Sequence, residues 1–356
     1  MIGLGAMGQG MASSMIRGGF AVHGYDVYEP AIQKFVSGGG KASAATSPAD
    51  AARGAEVLVL MVQNATQATD ALFGSGDAAA ALPDDAIVIL SSTVPPSFVR
   101  SLEKRLAGLG RGITLLDAPV SGGVVRAANG NLTIICSGEE STISKANGVL
   151  LSMTGLATNL CQVKGGVGAA SSVKLINQLL AGVHIAAAAE AMAFAARLGL
   201  DTRQIFELLK NAAAWSWMFE NRVPQMLEAD WTPHSALAIF VKDLGIVLDE
   251  TKRLMYFAPM SSAAHTLYLA GAAKGWSKEA DAGVVRWWEG AGVSVSGSAG
   301  RPEPHTTNEA LRAAAQPLPA KETIEALPAE FPYDVLESTK KPCRASSRGS
   351  REASSS

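Results

Sequence analysis

The sequence is poor in cysteine and in charged residues, and each shortage excludes a class of protein. Its three cysteines, Cys136, Cys161 and Cys343, are too few and too scattered for a disulfide framework or a CxxC metal site, which favours a reducing compartment. Charged residues make up only 17% of the chain and the formal net charge is −2, so no positive field attracts nucleic acid or an anionic membrane surface. We therefore expect neither nucleic acid nor membrane as a partner.

Long uninterrupted apolar runs and leader features are also missing. The longest apolar stretch, from Leu179 to Leu198, is interrupted by His184, Glu190 and Arg197, which argues against a membrane span. The N-terminus has no basic segment ahead of an apolar one, so no secretion signal is predicted. Neither a GxSxG elbow nor a His/Asp/Glu cluster with metal-ligand spacing occurs. A cytoplasmic protein without a bound metal is the resulting expectation.

Glycine and apolar residues, in contrast, are abundant, with 36 Gly among 356 residues and 48% hydrophobic residues. Four short apolar runs are separated by helix-length connections, a pattern typical of parallel strands covered on both faces. These runs are Ala21–Asp26, Val57–Val62, Ala86–Leu90 and Ile113–Asp117. The pattern predicts an α/β fold with a Rossmann-type, doubly wound sheet over residues 1–162.

A second, all-helical domain is predicted over residues 163–290. From Ala169 to Arg197 the only glycine is Gly182 and there is no proline, which predicts one helix about 40 Å long. Because this helix is apolar on nearly every side, we expect other helices or a second subunit to enclose it, which favours a homo-oligomer. Further helices are predicted at Thr202–Ala213, Trp217–Leu227 and Ser235–Leu254. Residues 291–356 are rich in Gly, Ser, Pro and Ala and predict a linker-like, disordered tail.

A GxGxxG motif stands at the start of the chain, formed by Gly3, Leu4, Gly5, Ala6, Met7 and Gly8. Its glycines permit a tight turn, close approach of the backbone to a pyrophosphate, and close helix–strand packing. Asp26 ends the predicted strand Ala21–Asp26, which is the second strand of the sheet if the residues before the glycine loop form the first. A carboxylate at this position can bond the adenosine ribose 2′-hydroxyl and repel a 2′-phosphate. The motif predicts a dinucleotide site that prefers NAD over NADP. The alternatives are a structural turn for the glycines and a cap for Asp26.

Only Met1 and Ile2 precede this loop, although such a loop normally follows a strand of about five residues. One explanation is that the chain begins a few residues downstream of the natural start. The other is a truncated first strand that weakens the cofactor site.

A second loop, DAPVSGG, runs from Asp117 to Gly123 just after a predicted strand. Ligands bind at this carboxyl edge in open α/β sheets. The Ser121 hydroxyl and the amides of Gly122 and Gly123 can hold a carboxylate, although a plain turn is an equal alternative.

Four motifs in this order resemble the β-hydroxyacid dehydrogenases, a family that includes 3-hydroxyisobutyrate, tartronate semialdehyde and 6-phosphogluconate-type dehydrogenases. They are GLGAMGQGMA from Gly3, DAPVSGG from Asp117, GAASSVKLIN from Gly168 and FVKDL from Phe240. Within the family, the segments 133–138, 178–192 and 217–222 are most similar to the L-threonate dehydrogenase branch.

The resemblance implies roles for residues at the matching positions. Lys174 matches the catalytic lysine, which acts as general acid or base when its pKa is lowered by desolvation. Asn177 would share substrate binding with Ser121, Gly122 and Gly123. The cofactor would contact Thr93 on one side and the loop of Met61, Val62 and Gln63 on the other, and Lys242 would reach it from the helical domain, oriented by Asp243. The alternatives are that Lys174 is an ordinary solvated lysine, that Lys242 and Asp243 are surface charges on a helix, and that Thr93 is a turn hydroxyl.

The resemblance thus implies NAD-dependent oxidation of the 2-hydroxyl of a four-carbon sugar acid such as L-threonate to the 2-oxo acid. The alternatives are an enzyme that acts on 3-hydroxyisobutyrate, a reductase of tartronate semialdehyde (2-hydroxy-3-oxopropanoate), or a catalytically impaired cofactor-binding scaffold. The segment Ala326–Leu336 resembles the connector of fungal fusions that join such a dehydrogenase to a sugar-acid kinase-like module.

Overall fold

A computed structural model of the chain describes residues 1–289 and 294–296. The connector at 326–336, Cys343 and all but three residues of the predicted tail lie outside these ranges. The strands are β1 Val22–Gly24, β2 Ala42–Ala44, β3 Val57–Leu60, β4 Ile87–Leu90, β5 Thr114–Asp117, β6 Val120–Ser121, β7 Thr133–Cys136 and β8 Leu160–Gln162. The helices of the first half are α1 Ala6–Arg17, α2 Glu29–Ser37, α3 Pro48–Ala52, α4 Ala65–Phe73, α5 Ala78–Ala81, α6 Pro96–Ala107, α7 Gly123–Ala128 and α8 Glu140–Thr154. Those of the second half are α9 Ala169–Arg197, α10 Thr202–Leu209, α11 Trp217–Glu228, α12 Leu237–Arg253, α13 Pro259–Ala273 and α14 Arg286–Glu289.

Parallel strands form the centre of the first half, as predicted. β1 pairs with β2, and β3, β4 and β5 pair in that order, all parallel. Ile2 joins the two groups, because it bridges to Tyr25 beyond β1 and to Leu60 at the end of β3. The resulting order is β2, β1, Ile2, β3, β4, β5, the reversal of strand order that places a ligand crevice beside Ile2 in Rossmann-type sheets.

Apolar residues cover both faces of this sheet, which is why its strands read as continuous apolar runs. Val59 and Ile89 belong to a core shared with α1 and α8, while Leu58 and Leu90 belong to a core on the opposite face. Beyond β5 the sheet continues through an antiparallel bridge between Asp117 and Ser137 into β6, β7 and β8.

The second half is helical, with α9 packed against α11, α12 and α13. Gly182, the only glycine in α9, lies where α12 approaches, since a Cβ there would be 2.9 Å from the Phe240 ring. The buried Tyr268 hydroxyl donates to the Gly182 carbonyl at 2.9 Å. The predicted fold class is therefore confirmed, while the boundary at residue 162 stays a prediction.

One detail of the long helix differs from expectation. α9 is long and apolar enough by length and composition to cross a membrane, contrary to the argument from its interrupting polar residues. Half of its most apolar stretch is buried within the protein, and the core helix of a globular protein passes the same test. Within residues 1–289 and 294–296 the helix keeps exposed apolar side chains, Ile176 at 59% and Phe194 at 62%, which agrees with the expectation that something beyond these residues covers it. Homo-oligomerisation stays a prediction.

Candidate active site

The GxGxxG loop turns sharply between Ile2 and α1. Gly3 has φ +93°, and a Cβ at this position would lie 2.3 Å from the Met61 carbonyl oxygen. A Cβ at Gly8 would lie 1.9 Å from the Gly3 carbonyl oxygen, so α1 packs directly on the loop. Gly5 is different, because nothing lies within 4 Å of its Cβ position. The open space faces the start of α1, whose N-cap is Gly5 and has no side-chain cap.

Asp26 lies against the same loop. Its Oδ2 accepts a hydrogen bond from the Leu4 amide at 2.7 Å, and its Oδ1 accepts one from the Tyr28 amide at 2.8 Å. A carboxylate has about four acceptor positions, so both oxygens keep capacity for a hydroxyl donor. The side chain is only partly buried. Asp26 is thus held beside the loop and remains open to a ligand.

The ends of β3 and β4 complete the rim of the crevice. Met61 packs against Gly3, and the Val62 amide donates to the Ser92 hydroxyl at 2.9 Å. Gln63 follows with an exposed side chain. These residues surround an open glycine turn at a free helix N-terminus, which are the features that a dinucleotide pyrophosphate requires. The residues present therefore fit an NAD(P) cofactor.

Lys174 lies near the start of α9 and is buried, with 7% of its surface exposed. Burial, which penalises the ammonium form, lowers the pKa of Lys174 from its ordinary value to about 8. The neighbouring Lys242 lowers this pKa further, whereas the Asp243 carboxylate raises it. A lysine amine with this pKa can both accept and donate a proton near neutral pH.

A chain of polar contacts connects α9 and α12 to the end of β4. The Lys242 amine donates to the Thr93 carbonyl oxygen at 3.1 Å and pairs with Asp243 Oδ1 at 2.8 Å. Asp243 Oδ2 accepts from the Gln178 amide at 2.5 Å, and Gln178 Oε1 accepts from the Asn177 amide at 2.9 Å. The structure thereby brings the predicted residues Thr93, Lys242 and Asn177 together.

Gln178 was not among the predicted site residues. It is buried on α9, four residues after Lys174, a spacing that places two side chains on one face of a helix. That spacing is the signal that could have found it. Its hydrogen bond to Asp243 is a polar link between α9 and α12, beside the apolar packing at Gly182.

The predicted substrate loop lies at the same edge of the sheet. Ser121 ends β6 and pairs with Thr133 of β7, and Gly122 and Gly123 follow with φ of +130° and +72°. α9 packs against both β5 and β7, and the helix that carries Lys174 begins beside Asp117, the first residue of this loop. Within residues 1–289 and 294–296, no group of three or more His, Cys, Asp or Glu side chains is arranged to hold a metal ion.

Comparison with known proteins agrees with this arrangement. The profile of the NAD binding domain of 6-phosphogluconate dehydrogenase matches residues 1–165, and that of the NAD-binding region of NADP-dependent 3-hydroxyisobutyrate dehydrogenase matches residues 168–288. L-threonate dehydrogenase of Cupriavidus necator is 46% identical over 290 residues, which cover 82% of this chain and 95% of that protein. L-threonate dehydrogenase of Escherichia coli K12 is 39% identical over 290 residues, covering 82% of this chain and 94% of that protein.

A solved structure shows that the similarity extends to the three-dimensional fold. The crystal structure described as 3-hydroxyisobutyrate dehydrogenase from Salmonella typhimurium is 39% identical and has a TM-score of 0.73, covering 80% of this chain and 98% of that one. Sequence motifs, sheet order and site geometry thus agree with one another. The chain belongs to the 3-hydroxyisobutyrate dehydrogenase-related family of β-hydroxyacid dehydrogenases and is an NAD(P)-dependent hydroxyacid dehydrogenase.

Proposed function

We propose that this enzyme oxidises the 2-hydroxyl of a four-carbon sugar acid such as L-threonate to the 2-oxo acid, with NAD as acceptor and Lys174 as general base. The observation that carries the proposal is a buried lysine whose pKa is lowered by desolvation and influenced by the charges of Asp243 and Lys242. Lys242 in turn pairs with Asp243 and bonds the Thr93 carbonyl at the edge of the cofactor crevice. The names of the L-threonate dehydrogenases that the chain resembles support the choice of substrate.

In this proposal each part of the site has a separate task. When bound, the cofactor supplies the nicotinamide ring as acceptor of the hydride from the carbinol carbon. Neutral Lys174 takes the proton of the substrate hydroxyl, and in the reverse direction its ammonium form returns a proton to the carbonyl oxygen. Ser121, Gly122 and Gly123 hold the substrate carboxylate by a hydroxyl and free amides, and Asn177 bonds a substrate oxygen. Lys242 and Asp243 set the electrostatic surroundings of Lys174.

The preference for NAD follows from the charge around Asp26. The next residues along the chain are Val27, Tyr28, Glu29 and Pro30, so the loop offers two carboxylates and no cation to a 2′-phosphate. A phosphate there would meet like charge, whereas the ribose 2′-hydroxyl of NAD can donate to the free acceptor positions of Asp26.

Exchanging these charges is expected to exchange the cofactors. The double change Asp26→Ser with Val27→Arg removes the acceptor of the 2′-hydroxyl and adds a cation for the 2′-phosphate. We expect the affinity for NAD to fall roughly 10- to 100-fold, as expected for the loss of one hydrogen bond to a charged group, while the affinity for NADP rises. Titration of NADH and NADPH by fluorescence measures both. Glu29→Gln is the matched control that removes a nearby charge without the acceptor, and an unchanged NAD affinity in the double variant would contradict the assignment.

The substrate assignment is tested by an absorbance screen of purified enzyme with NAD over C3 to C6 hydroxy acids in both stereoisomers, repeated with NADP. We expect the highest kcat/KM for a four-carbon 2,3,4-trihydroxy acid of the L-threonate configuration, and little turnover with 3-hydroxyisobutyrate.

Other results of this screen identify the alternatives. Preference for branched, apolar 3-hydroxyisobutyrate would match the description of the Salmonella typhimurium structure and would refute the sugar-acid proposal. Preference for tartronate semialdehyde in the reductive direction would do the same. NADH binding without turnover of any acid would identify a cofactor-binding scaffold instead of an enzyme of this substrate class.

A further inference from the structure

The carboxylate of Asp117 lies at the end of β5 and is completely buried. Among the described residues, its close polar partners come from the start of α9 and from Ser137, which follows the neighbouring strand β7. Oδ2 accepts from the Gly168 amide at 3.0 Å and from the Ser171 amide at 2.8 Å, and Oδ1 accepts from the Ser171 hydroxyl at 2.7 Å. The Ser137 hydroxyl lies 3.4 Å from Oδ2 and accepts from the Ala170 amide at 2.9 Å.

These contacts satisfy a requirement that α9 cannot meet by itself. The first amides of any α-helix have no partner within the helix, and a Ser, Thr, Asp or Asn at the N-cap usually accepts from them. The N-cap of α9 is Gly168, in the left-handed region with φ +95°, and it offers no side chain. Asp117 and Ser137 therefore cap α9 from the sheet, across 51 and 33 residues of sequence respectively.

Burial raises the pKa of Asp117, while the hydrogen bonds from Ser171, Gly168 and Ser137 lower it. A buried carboxylate is costly unless it is well bonded, so this position requires a specific set of donors rather than apolar filling. The backbone around Asp117 is fixed independently of its side chain, because its amide and carbonyl pair with the backbone of Ser137.

The location of this cap gives it a catalytic consequence. Lys174 lies one helical turn after Ser171, and Ser121 follows Asp117 by four residues along the loop. The same carboxylate thus connects the sheet edge that leads to the substrate loop with the helix turn that precedes the proposed base. A small error in such a distance is enough to slow a proton transfer.

We propose that Asp117 is a positioning residue that sets the place of Lys174 relative to the substrate loop by capping α9 from the end of β5. This inference rests on the proposed role of Lys174 as general base. It assigns Asp117 no contact with substrate or cofactor.

The test compares Asp117→Ala with the unchanged enzyme by two independent measurements. Alanine removes both carboxylate oxygens, so the amides of Gly168 and Ser171 lose the acceptor Oδ2 that they share. Asparagine would be a weaker test, because its carboxamide oxygen can take the place of Oδ2 and accept from both amides. Hydrogen exchange of the peptide that covers 165–176 should become roughly 3- to 30-fold faster, as expected for loss of an N-cap. The value of kcat per NADH-binding site should fall on the order of 10- to 100-fold, while the KM of the hydroxy acid and the Kd of NADH change less than about threefold.

Two serines give a matched control inside α9. Ser171→Ala removes a donor to Asp117 and should show a weaker form of both effects. Ser172→Ala removes a hydroxyl that donates to the Gly168 carbonyl at 2.8 Å and, among the described residues, has no bond to Asp117; it should leave kcat unchanged. If Asp117→Ala does not fold, Ser137→Ala and Ser171→Ala still report on the cap.

The outcomes separate this inference from the proposed function. Faster exchange with an unchanged kcat in the Asp117 variant, or in both Ser137→Ala and Ser171→Ala, would reduce the cap to a structural role and overturn the inference. Unchanged exchange would show that the carboxylate does not cap α9, and would also overturn it. Failure of the base assignment is detected elsewhere, by full activity after replacement of Lys174 itself.

Discussion

Replacing Lys174 by alanine is expected to lower kcat by roughly 10²- to 10⁴-fold, the contribution of a positioned general base. The reason is that Lys174 is buried beside Asp243 with a pKa near 8, so it is the group best suited to take the hydroxyl proton. Binding of NADH should change little, because the glycine loop and Asp26 belong to the other side of the site. Steady-state kinetics and fluorescence titration on the same preparation measure both quantities.

The pH dependence of the unchanged enzyme gives a second check of this prediction. Oxidation requires the neutral amine, so kcat should rise with pH as Lys174 loses its proton near pH 8. Reduction requires the ammonium form, so its kcat should fall through the same range. Lys164→Ala, which removes an exposed lysine shortly before α9, should leave kcat and its pH profile unchanged. A Lys174→Ala enzyme with full kcat would remove the mechanism.

Replacement by alanine should affect two glycines of the cofactor loop differently, lowering protein stability at Gly8 and cofactor affinity at Gly5. Gly8→Ala should destabilise the protein by at least about 2 kcal/mol, because the added methyl would lie 1.9 Å from the Gly3 carbonyl oxygen. Alanine is otherwise the better helix former by about 1 kcal/mol, so a loss of stability can be attributed to the clash. Gly5→Ala should leave the free energy of unfolding nearly unchanged, since nothing lies within 4 Å of its Cβ position.

In correctly folded protein, NADH affinity should fall more in Gly5→Ala than in Gly8→Ala. The methyl of Gly5→Ala would occupy the space where the backbone approaches the pyrophosphate, so NADH affinity should fall by at least about tenfold. Thermal unfolding without cofactor, followed by NADH titration, distinguishes the two effects. Unchanged NADH affinity in Gly5→Ala would mean that the open space is not the phosphate site, and an unchanged stability of Gly8→Ala would contradict the packing of α1 on the loop.

Most of the architecture could be predicted because its signals are local. Val57–Leu60 and Ile87–Leu90 lie within the predicted apolar runs, since strands buried on both faces need apolar residues at every position. The long α9 follows from a stretch of strong helix formers without proline. The limits of these elements were predicted less well. α10 ends at Leu209, four residues before the predicted end, because packing and capping decide where a helix stops.

The sequence by itself determined the fold class, the cofactor loop and, through resemblance, the chemical class of the enzyme. These depend on residue type at fixed short spacings, as in Gly3 to Gly8. Only the tertiary structure decided what surrounds Lys174, because Asp243 and Asp117 are distant along the chain and contact α9 through folding alone. A lysine in a sequence is an ordinary cation. Burial by the packing of α9 on the sheet and on α12 lowers the pKa of Lys174 to about 8, although the Asp243 carboxylate raises it. The contacts of Asp117 and Asp243 with α9 hold in place the helix that carries this lysine.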